Sequence, residues 1–188
     1  LIVDNIIELW ENPKTPEYYE LKELVHSPRF TWNYKGSTNP KYNPDSEKYT
    51  PFPIYQHVVV FGVDTFDRQV IPIVPSEHSQ LVLNYVYDVL DHNAKEFTQI
   101  HRCVINQTHY WDGKPGPPHK DHHHFYHKNV IVYFNSFDEG EITVIDDDGF
   151  QQSYKPMEDD IVTFPGLNHS VGQPAPQQRR IVLVFTYS

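Results

Sequence analysis

A single cysteine among 188 residues excludes an intramolecular disulfide framework and fits a reducing compartment. No apolar run is long enough to span a bilayer and no stretch has a signal-peptide layout, so the expectation is a cytoplasmic protein. Basic residues are scarce: 15 Lys+Arg stand against 25 Asp+Glu, a formal net charge of -10. Such a surface repels phosphate backbones, which argues against nucleic acid as a partner; a neutral or basic polypeptide suits it better. Glycine is scarce too, 8 against 16 Pro, which implies many stiff loops between short elements. What abounds is aromatic: 13 Tyr and 11 Phe favour sheets over a helical bundle. A hydrophobic share of 38% suits one globular domain, residues 1–188, with a proper core.

Along the chain, Ile2, Ile6, Ile7 and Trp10 have roughly helical spacing and stop short of Pro13. Thr15-Pro16-Glu17 is a helix opening: a hydroxyl, Pro at the first helical position and an acid in the first turn. Tyr18, Leu21, Leu24 and Val25 form its stripe, which Ser27-Pro28 ends. Phe30 to Tyr34 alternates as a strand does. Gly36 to Pro53 has no regular pattern and is either a substrate lid or a surface loop packed by its own tyrosines. His57 to Phe61 and Val70 to Val74 read as strands, the second interrupted by Pro72. Between Ser76 and Phe97, Val82, Tyr85, Val86, Val89 and Leu90 follow an i, i+3, i+4, i+7, i+8 stripe, predicting a structural helix packed on a sheet. After Ile100 short strands alternate with turns: Arg102–Tyr110, Asn129–Asn135, Glu141–Ile145, Phe150–Tyr154, Ile161–Phe164 and Arg180–Tyr187. That regular spacing suggests a β-sandwich or barrel.

The chemistry concentrates at His119-Lys120-Asp121, His169 and Arg179-Arg180. On an extended segment His119 and Asp121 point to the same side and can grip one ion, and His169 supplies a third ligand from a distant strand. Two imidazoles and a carboxylate form a facial triad with open positions, the ligand set of non-haem Fe(II) oxygenases. A downstream arginine offers a planar fork for a carboxylate, as a 2-oxo acid co-substrate requires. Neighbours on a strand point opposite ways, so only one of Arg179 and Arg180 faces inward. His122, His123, His124 and His127 make the first triad member part of a histidine-rich run, yet neither His122 nor His124 has an acid two residues on.

From about Arg102 onward the chain resembles the 2-oxoglutarate- and Fe(II)-dependent dioxygenases, nearest their prolyl-hydroxylase-like branch. The matching pieces are Tyr110-Trp111-Asp112-Gly113, His119-Lys120-Asp121, Val132 to Asn135, Asp138 to Thr143, Pro156, Asp160 to Pro165, His169, and Arg180 to Phe185. The resemblance implies a mainly β fold with flanking α, a double-stranded β-helix (jelly roll, cupin-like) core backed by N-terminal helices. It implies Fe(II) held by His119, Asp121 and His169, with 2-oxoglutarate and O₂ as co-substrates. Decarboxylation of 2-oxoglutarate to succinate and CO₂ is then coupled to hydroxylation of a substrate C–H bond. Alignment of the arginine-led last strand selects Arg180 for the distal carboxylate of 2-oxoglutarate, with Arg179 as the alternative. Val182 stands where many relatives have Ser or Thr. Tyr133 matches a co-substrate tyrosine and equally fits a core position, Tyr110 matches another tyrosine with a one-residue offset, and Asn106 points from the same strand region. Three readings stand: a hydroxylase of peptide or protein side chains, the same chemistry on a free amino acid, metabolite or nucleobase, and a non-catalytic cupin-like metal-binding module. The loops Gly36–Pro53 and Lys114–Pro118 are expected to flank the metal mouth.

Overall fold

Residues Lys128–Tyr133 and Arg179–Tyr187 are strands buried on both faces, and their period-two alternation sends one set of side chains to a helical layer and the other to an internal cavity. The computed structural model describes residues 5–36, 48–64, 70–73 and 76–188. In chain order the elements are β1 (Glu8–Trp10), α1 (Pro16–His26), β2 (Asn33–Lys35), β3 (Ile54–Asp64), β4 (Val70–Ile73), α2 (Ser79–His92) and β5 (Ile100–His109). There follow β6 (Lys128–Tyr133), β7 (Ile142–Ile145), β8 (Gln151–Tyr154), β9 (Ile161–Pro165), β10 (Asn168–Val171) and β11 (Arg179–Tyr187).

The larger sheet runs β1-β9-β6-β11-β5-β3-β2, with β4 paired to β3, and the smaller runs β10-β7-β8, every pair antiparallel. The chain crosses from the large sheet to the small one after β6, returns for β9, crosses again for β10 and returns for β11. That is the jelly-roll, double-stranded β-helix order expected from the sequence. Pro72 sits on β4, at the margin of the sheet, where a missing N–H is tolerated.

Two apolar clusters follow from the alternation. Val130, Val132, Phe134, Ile181, Leu183, Phe185, Cys103 and Ile105 face the helices and meet Tyr18, Leu21 and Val25 of α1 and Val82, Tyr85, Val86, Val89 and Leu90 of α2. Ile131, Tyr133, Val162, Phe164 and Val182 face Ile142 and Val144 of the smaller sheet. Each fully buried aliphatic or aromatic side chain stabilises the fold by about 1.5–3 kcal/mol, so both layers are held chiefly by these stripes.

Two expectations need correction. The N-terminal stretch is not a helix: Glu8–Trp10 pairs with Ile161–Thr163 as an edge strand. Ile7 packs between the sheets while Trp10 packs under the helices, and a helix would have put positions three apart on one face. The strand drawn from Phe30 to Tyr34 is shorter and later, Asn33–Lys35, because Phe30 is buried in the helix-facing cluster ahead of the pairing with β3. Residues 37–47 of the Gly36–Pro53 stretch lie outside the described residues.

An acid in the turn before β9 ties α1 to the sheet. Asp159, at φ 73, accepts from the Tyr18 hydroxyl and pairs with Lys14 at 2.8 Å and Lys22 at 2.6 Å. Burial alone would raise its carboxyl, but these donors outweigh it and bring the pKa down to about 2. Asp159→Asn keeps the shape and tolerates the left-handed backbone, so it isolates the charge. At pH 7 it is expected to lower Tm by roughly 3–8 °C, from charge-assisted hydrogen bonds worth about 1.5–3 kcal/mol. The folded-state pKa lies below the ordinary 3.8, so this contribution is complete above that value and is lost as pH falls towards about 2. Thermal melts from pH 7 to pH 3 should therefore show the gap between wild type and variant narrowing only below about pH 4; a constant gap would mean that the charge is not what stabilises this junction.

Candidate metal centre

Fifty residues separate His119 from His169 in sequence, and two backbone hydrogen bonds bring them together. His119 N–H donates to the His169 carbonyl at 3.0 Å and His169 N–H to that of His119 at 2.9 Å. Directly opposed residues of an antiparallel bridge share a face, and the two imidazole centroids lie 4.5 Å apart. Asp121, two residues on, joins them: one ligand atom from each of the three residues lies within 4.8 Å of the others. Among the described residues this is the one group of three or more His, Cys, Asp or Glu that meets such spacing.

The imidazoles are oriented by their own neighbours. His119 Nδ1 lies 3.1 Å from the Pro117 carbonyl and His169 Nδ1 lies 3.2 Å from that of Leu167. A carbonyl only accepts, so each Nδ1 carries the proton and each Nε2 keeps its lone pair for a ligand role. His169 Nε2 stands 3.9 Å from Asp121 Oδ2. The other carboxylate oxygen, Oδ1, accepts from Arg102 Nη1 at 2.7 Å. Burial would raise the Asp121 carboxyl, yet the Arg102 guanidinium and the surrounding imidazoles hold it well below the usual carboxylate range. Burial pushes His169 down to about 4 against the upward pull of Asp121. At neutral pH Asp121 is a carboxylate and His169 a neutral imidazole, the forms that bind a cation. Two nitrogens, one oxygen and a face left open fit Fe(II) better than a closed tetrahedral ion.

A cavity of about 120 Å³ runs from the trio into the barrel. Arg102, Asn106 and Thr108 of β5 and Arg180, Val182 and Val184 of β11 line it, together with Tyr133, Phe52, Gly116 and Pro117. Arg180 is 4% exposed, its Nη1 donates to the Gly172 carbonyl at 2.7 Å, and no carboxylate pairs with it among the described residues. Arg179 is exposed on the other face. Thr108 stands directly across from Arg180 in the β5–β11 register, buried, and its hydroxyl has no partner among the described residues. Tyr133 is buried in the same wall and burial pushes its phenol up. A guanidinium with no carboxylate and a hydroxyl with no partner among the described residues, together with a phenol at one end of a cavity, match the needs of a carboxylate.

Of the residues singled out in the sequence, His119, Asp121, His169, Arg180, Tyr133 and Asn106 come together around this cavity. Tyr110 does not: it is 40% exposed and lies over Gly113, outside the cavity wall. Asn106 accepts from Gln56 at 2.9 Å. In the histidine run, His123 and His124 are exposed, His127 is buried and His122 bonds Thr186 Oγ1 at 2.8 Å. Gly116 and Pro117 bring the Lys114–Pro118 loop to the cavity. The sequence reading missed Arg102 and Thr108. The period-two count that placed Asn106 would have found both, since 102, 106 and 108 share one face of β5.

No family model and no curated protein matches this sequence. Solved structures do match. An oxidoreductase of the 2OG-Fe(II) oxygenase family from Burkholderia pseudomallei superimposes with a TM-score of 0.65 at 18% identity, covering 90% of this chain and 78% of that one. A prolyl hydroxylase from Trichoplax adhaerens, in complex with a hypoxia inducible factor oxygen degradation domain peptide fragment, gives 0.62 at 12% identity, covering 98% and 84%. The viral collagen prolyl hydroxylase of Paramecium bursaria Chlorella virus-1, as its 2OG complex, gives 0.52 at 13% identity, covering 98% and 97%. By this likeness, and with its own chain crossing between two antiparallel sheets, this chain has the double-stranded β-helix fold of the 2OG-Fe(II) oxygenases and prolyl hydroxylases.

Proposed function

We propose that this protein, as a single domain over residues 1–188, is a 2-oxoglutarate- and Fe(II)-dependent dioxygenase that hydroxylates a C–H bond of an organic substrate. One observation carries the reading. The cavity that begins at His119, Asp121 and His169 also holds a buried arginine that, among the described residues, has no carboxylate partner, beside a buried threonine hydroxyl that has no partner among them either. A protein that only binds metal has no use for that second end, and leaving such groups unpaired is costly unless a ligand satisfies them.

The roles follow from position. His119 and His169 would hold Fe(II) through Nε2 and Asp121 through Oδ2, while Arg102 keeps Oδ1 engaged and the carboxylate monodentate. Arg180 would pair with the distal carboxylate of 2-oxoglutarate, with Tyr133 and Thr108 as further donors. Thr108 thereby takes the part of the hydroxyl that many relatives carry two residues after the arginine, where this chain has Val182. Bound there, Fe(II) and 2-oxoglutarate supply the reactivity with O₂ that couples decarboxylation to C–H hydroxylation. The apolar walls from Phe52, Val182 and Val184 exclude water around the reacting groups. The Trichoplax enzyme carries a peptide, so this fold is able to present a peptide to the site.

Two measurements test the assignment. Full-length protein is expected to bind one equivalent of Mn(II), read from the loss of free Mn(II) in electron paramagnetic resonance. Asp121→Ala or His169→Ala should abolish this, whereas His122→Ala with His124→Ala should retain it; stoichiometric binding that survives Asp121→Ala would place the metal elsewhere. Anaerobic titration of the Mn(II)-loaded protein with 2-oxoglutarate tests the other end. Arg180→Ala is expected to weaken binding about 30–150-fold, from roughly 2–3 kcal/mol for a buried charge partner. Thr108→Val should cost about fivefold, ~1 kcal/mol for one neutral hydrogen bond, and Arg179→Ala less than about twofold. The reverse order of the two arginines would shift the clamp by one residue. Formation of succinate with a candidate substrate is the functional readout.

A further inference from the structure

On the face of β3 turned away from the metal cavity, an imidazole and a hydroxyl meet in a second cleft. Gln56 bonds Asn106 in the cavity wall, and its neighbour His57 points to the opposite side of the sheet by strand alternation. There the His57 ring is 7% exposed and packs on Phe30 and His78, with centroids 4.6 and 5.6 Å away. Neither the metal trio nor the 2-oxoglutarate clamp uses it.

Both ring nitrogens are assigned by their partners. Nδ1 lies 2.9 Å from the Thr31 carbonyl, which only accepts, so Nδ1 carries the proton. Nε2 therefore presents a lone pair, and it stands 2.7 Å from Ser76 Oγ. The hydroxyl donates its one proton to the imidazole while accepting from His78 N–H at 3.0 Å. A serine that only capped the approach to α2 would need that N–H and no base behind its own proton. Among the described residues, His57 is the one imidazole with a carbonyl at Nδ1 and a hydroxyl at Nε2. This is the proton arrangement of a serine nucleophile and its general base, with a backbone carbonyl in the orienting role.

The surroundings suit a neutral acyl group. His57 and Ser76 line a cleft of about 450 Å³ together with Thr31, Asn33, Val58 and Glu77. Ser76 is half-buried and stands three residues ahead of α2. Backbone N–H groups without an intrahelical acceptor, and the positive end of the helix dipole, favour a developing oxyanion there. Glu77, exposed at the same cleft, disfavours an anionic guest.

We propose that Ser76 and His57 form a second catalytic site, which hydrolyses small uncharged esters by acyl transfer through Ser76. His57 Nε2 takes the Oγ proton as Oγ bonds the ester carbonyl carbon. The bond from that carbon to the alcohol oxygen then breaks, and the imidazolium returns the proton to the departing oxygen. Water, giving a proton to the same Nε2, attacks the Ser76 ester and releases the acid, and the proton passes back to Oγ. No metal, oxidant or 2-oxoglutarate enters, so the site works independently of the metal centre on the other face of the sheet.

The test uses the full-length protein and an uncharged probe, diisopropyl fluorophosphate, which phosphorylates activated serines with loss of fluoride. Labelled residues are mapped by peptide mass spectrometry. Ser76 is expected to react at least about tenfold faster than any other serine, and His57→Gln to slow it about 100-fold, the lower end of what a general base contributes. A thermal melt establishes that the variant is folded. In parallel, hydrolysis of p-nitrophenyl acetate should turn over with or without Mn(II) and fall at least about tenfold in Ser76→Ala. The proposal is overturned if Ser76 is not the preferred serine, if folded His57→Gln is labelled as fast as wild type, or if Ser76→Ala hydrolyses the ester at the wild-type rate. Should His57→Gln not fold, the rank of Ser76 among the serines and the Ser76→Ala rate decide between the two outcomes.

Discussion

The two hydrogen bonds between His119 and His169 are the constraint from which the site follows. Without them the segment after β5 is an irregular connection; with them it becomes a one-residue fourth partner of the smaller sheet, next to β10. The bridge closes the barrel on that side. It also removes the choice of where the imidazoles point, because opposed residues on a sheet share a face. Carbonyls at Pro117 and Leu167 then fix each ring by its Nδ1. A pair of imidazoles on one face is thus set by backbone geometry, and of the trio Asp121 is the one tied to a side-chain partner, Arg102.

The same economy runs through β5 and β11. Each strand serves two masters: Cys103 and Ile105, like Ile181, Leu183 and Phe185, pack under α1 and α2, while the intervening residues face the cavity. A shift of one residue in the β5–β11 register would bury Arg179, expose Arg180 and drive leucine and phenylalanine into the polar interior. The apolar layer under the helices therefore protects the placement of the polar residues on the opposite face. Stability and site geometry are coupled through register.

This coupling explains what was legible in the sequence. Patterns that repeat were readable: the α2 stripe, the strands after Ile100, and the inward turn of one member of Arg179-Arg180. The sequence spacing of His119, Asp121 and His169 gave the trio because ligand chemistry restricts residue type. Short, unrepeated pieces were not readable. Glu8–Trp10 has spacing compatible with a helix, and only the free edge of β9 decides for a strand. Thr108 and Arg102 are ordinary residues in sequence, and their significance depends on which atoms lack partners or which carboxylate stands opposite. Tyr110 fitted a motif by order alone, and motif order carries no information on which way a turn residue faces.

The placement of Cys103 bears on how long such a site would survive its own chemistry. Its strand neighbour Arg102 touches Asp121, but the thiol itself lies on the opposite side of the sheet, fully buried beneath the helices. Burial pushes its pKa up, so it stays a thiol rather than a thiolate. The thiolate is the form that peroxides and related by-products of O₂ attack, and access is the other requirement. The chain's one cysteine meets neither, so the side chain most prone to oxidative damage is insulated by a single layer of sheet from the place where oxidants would arise.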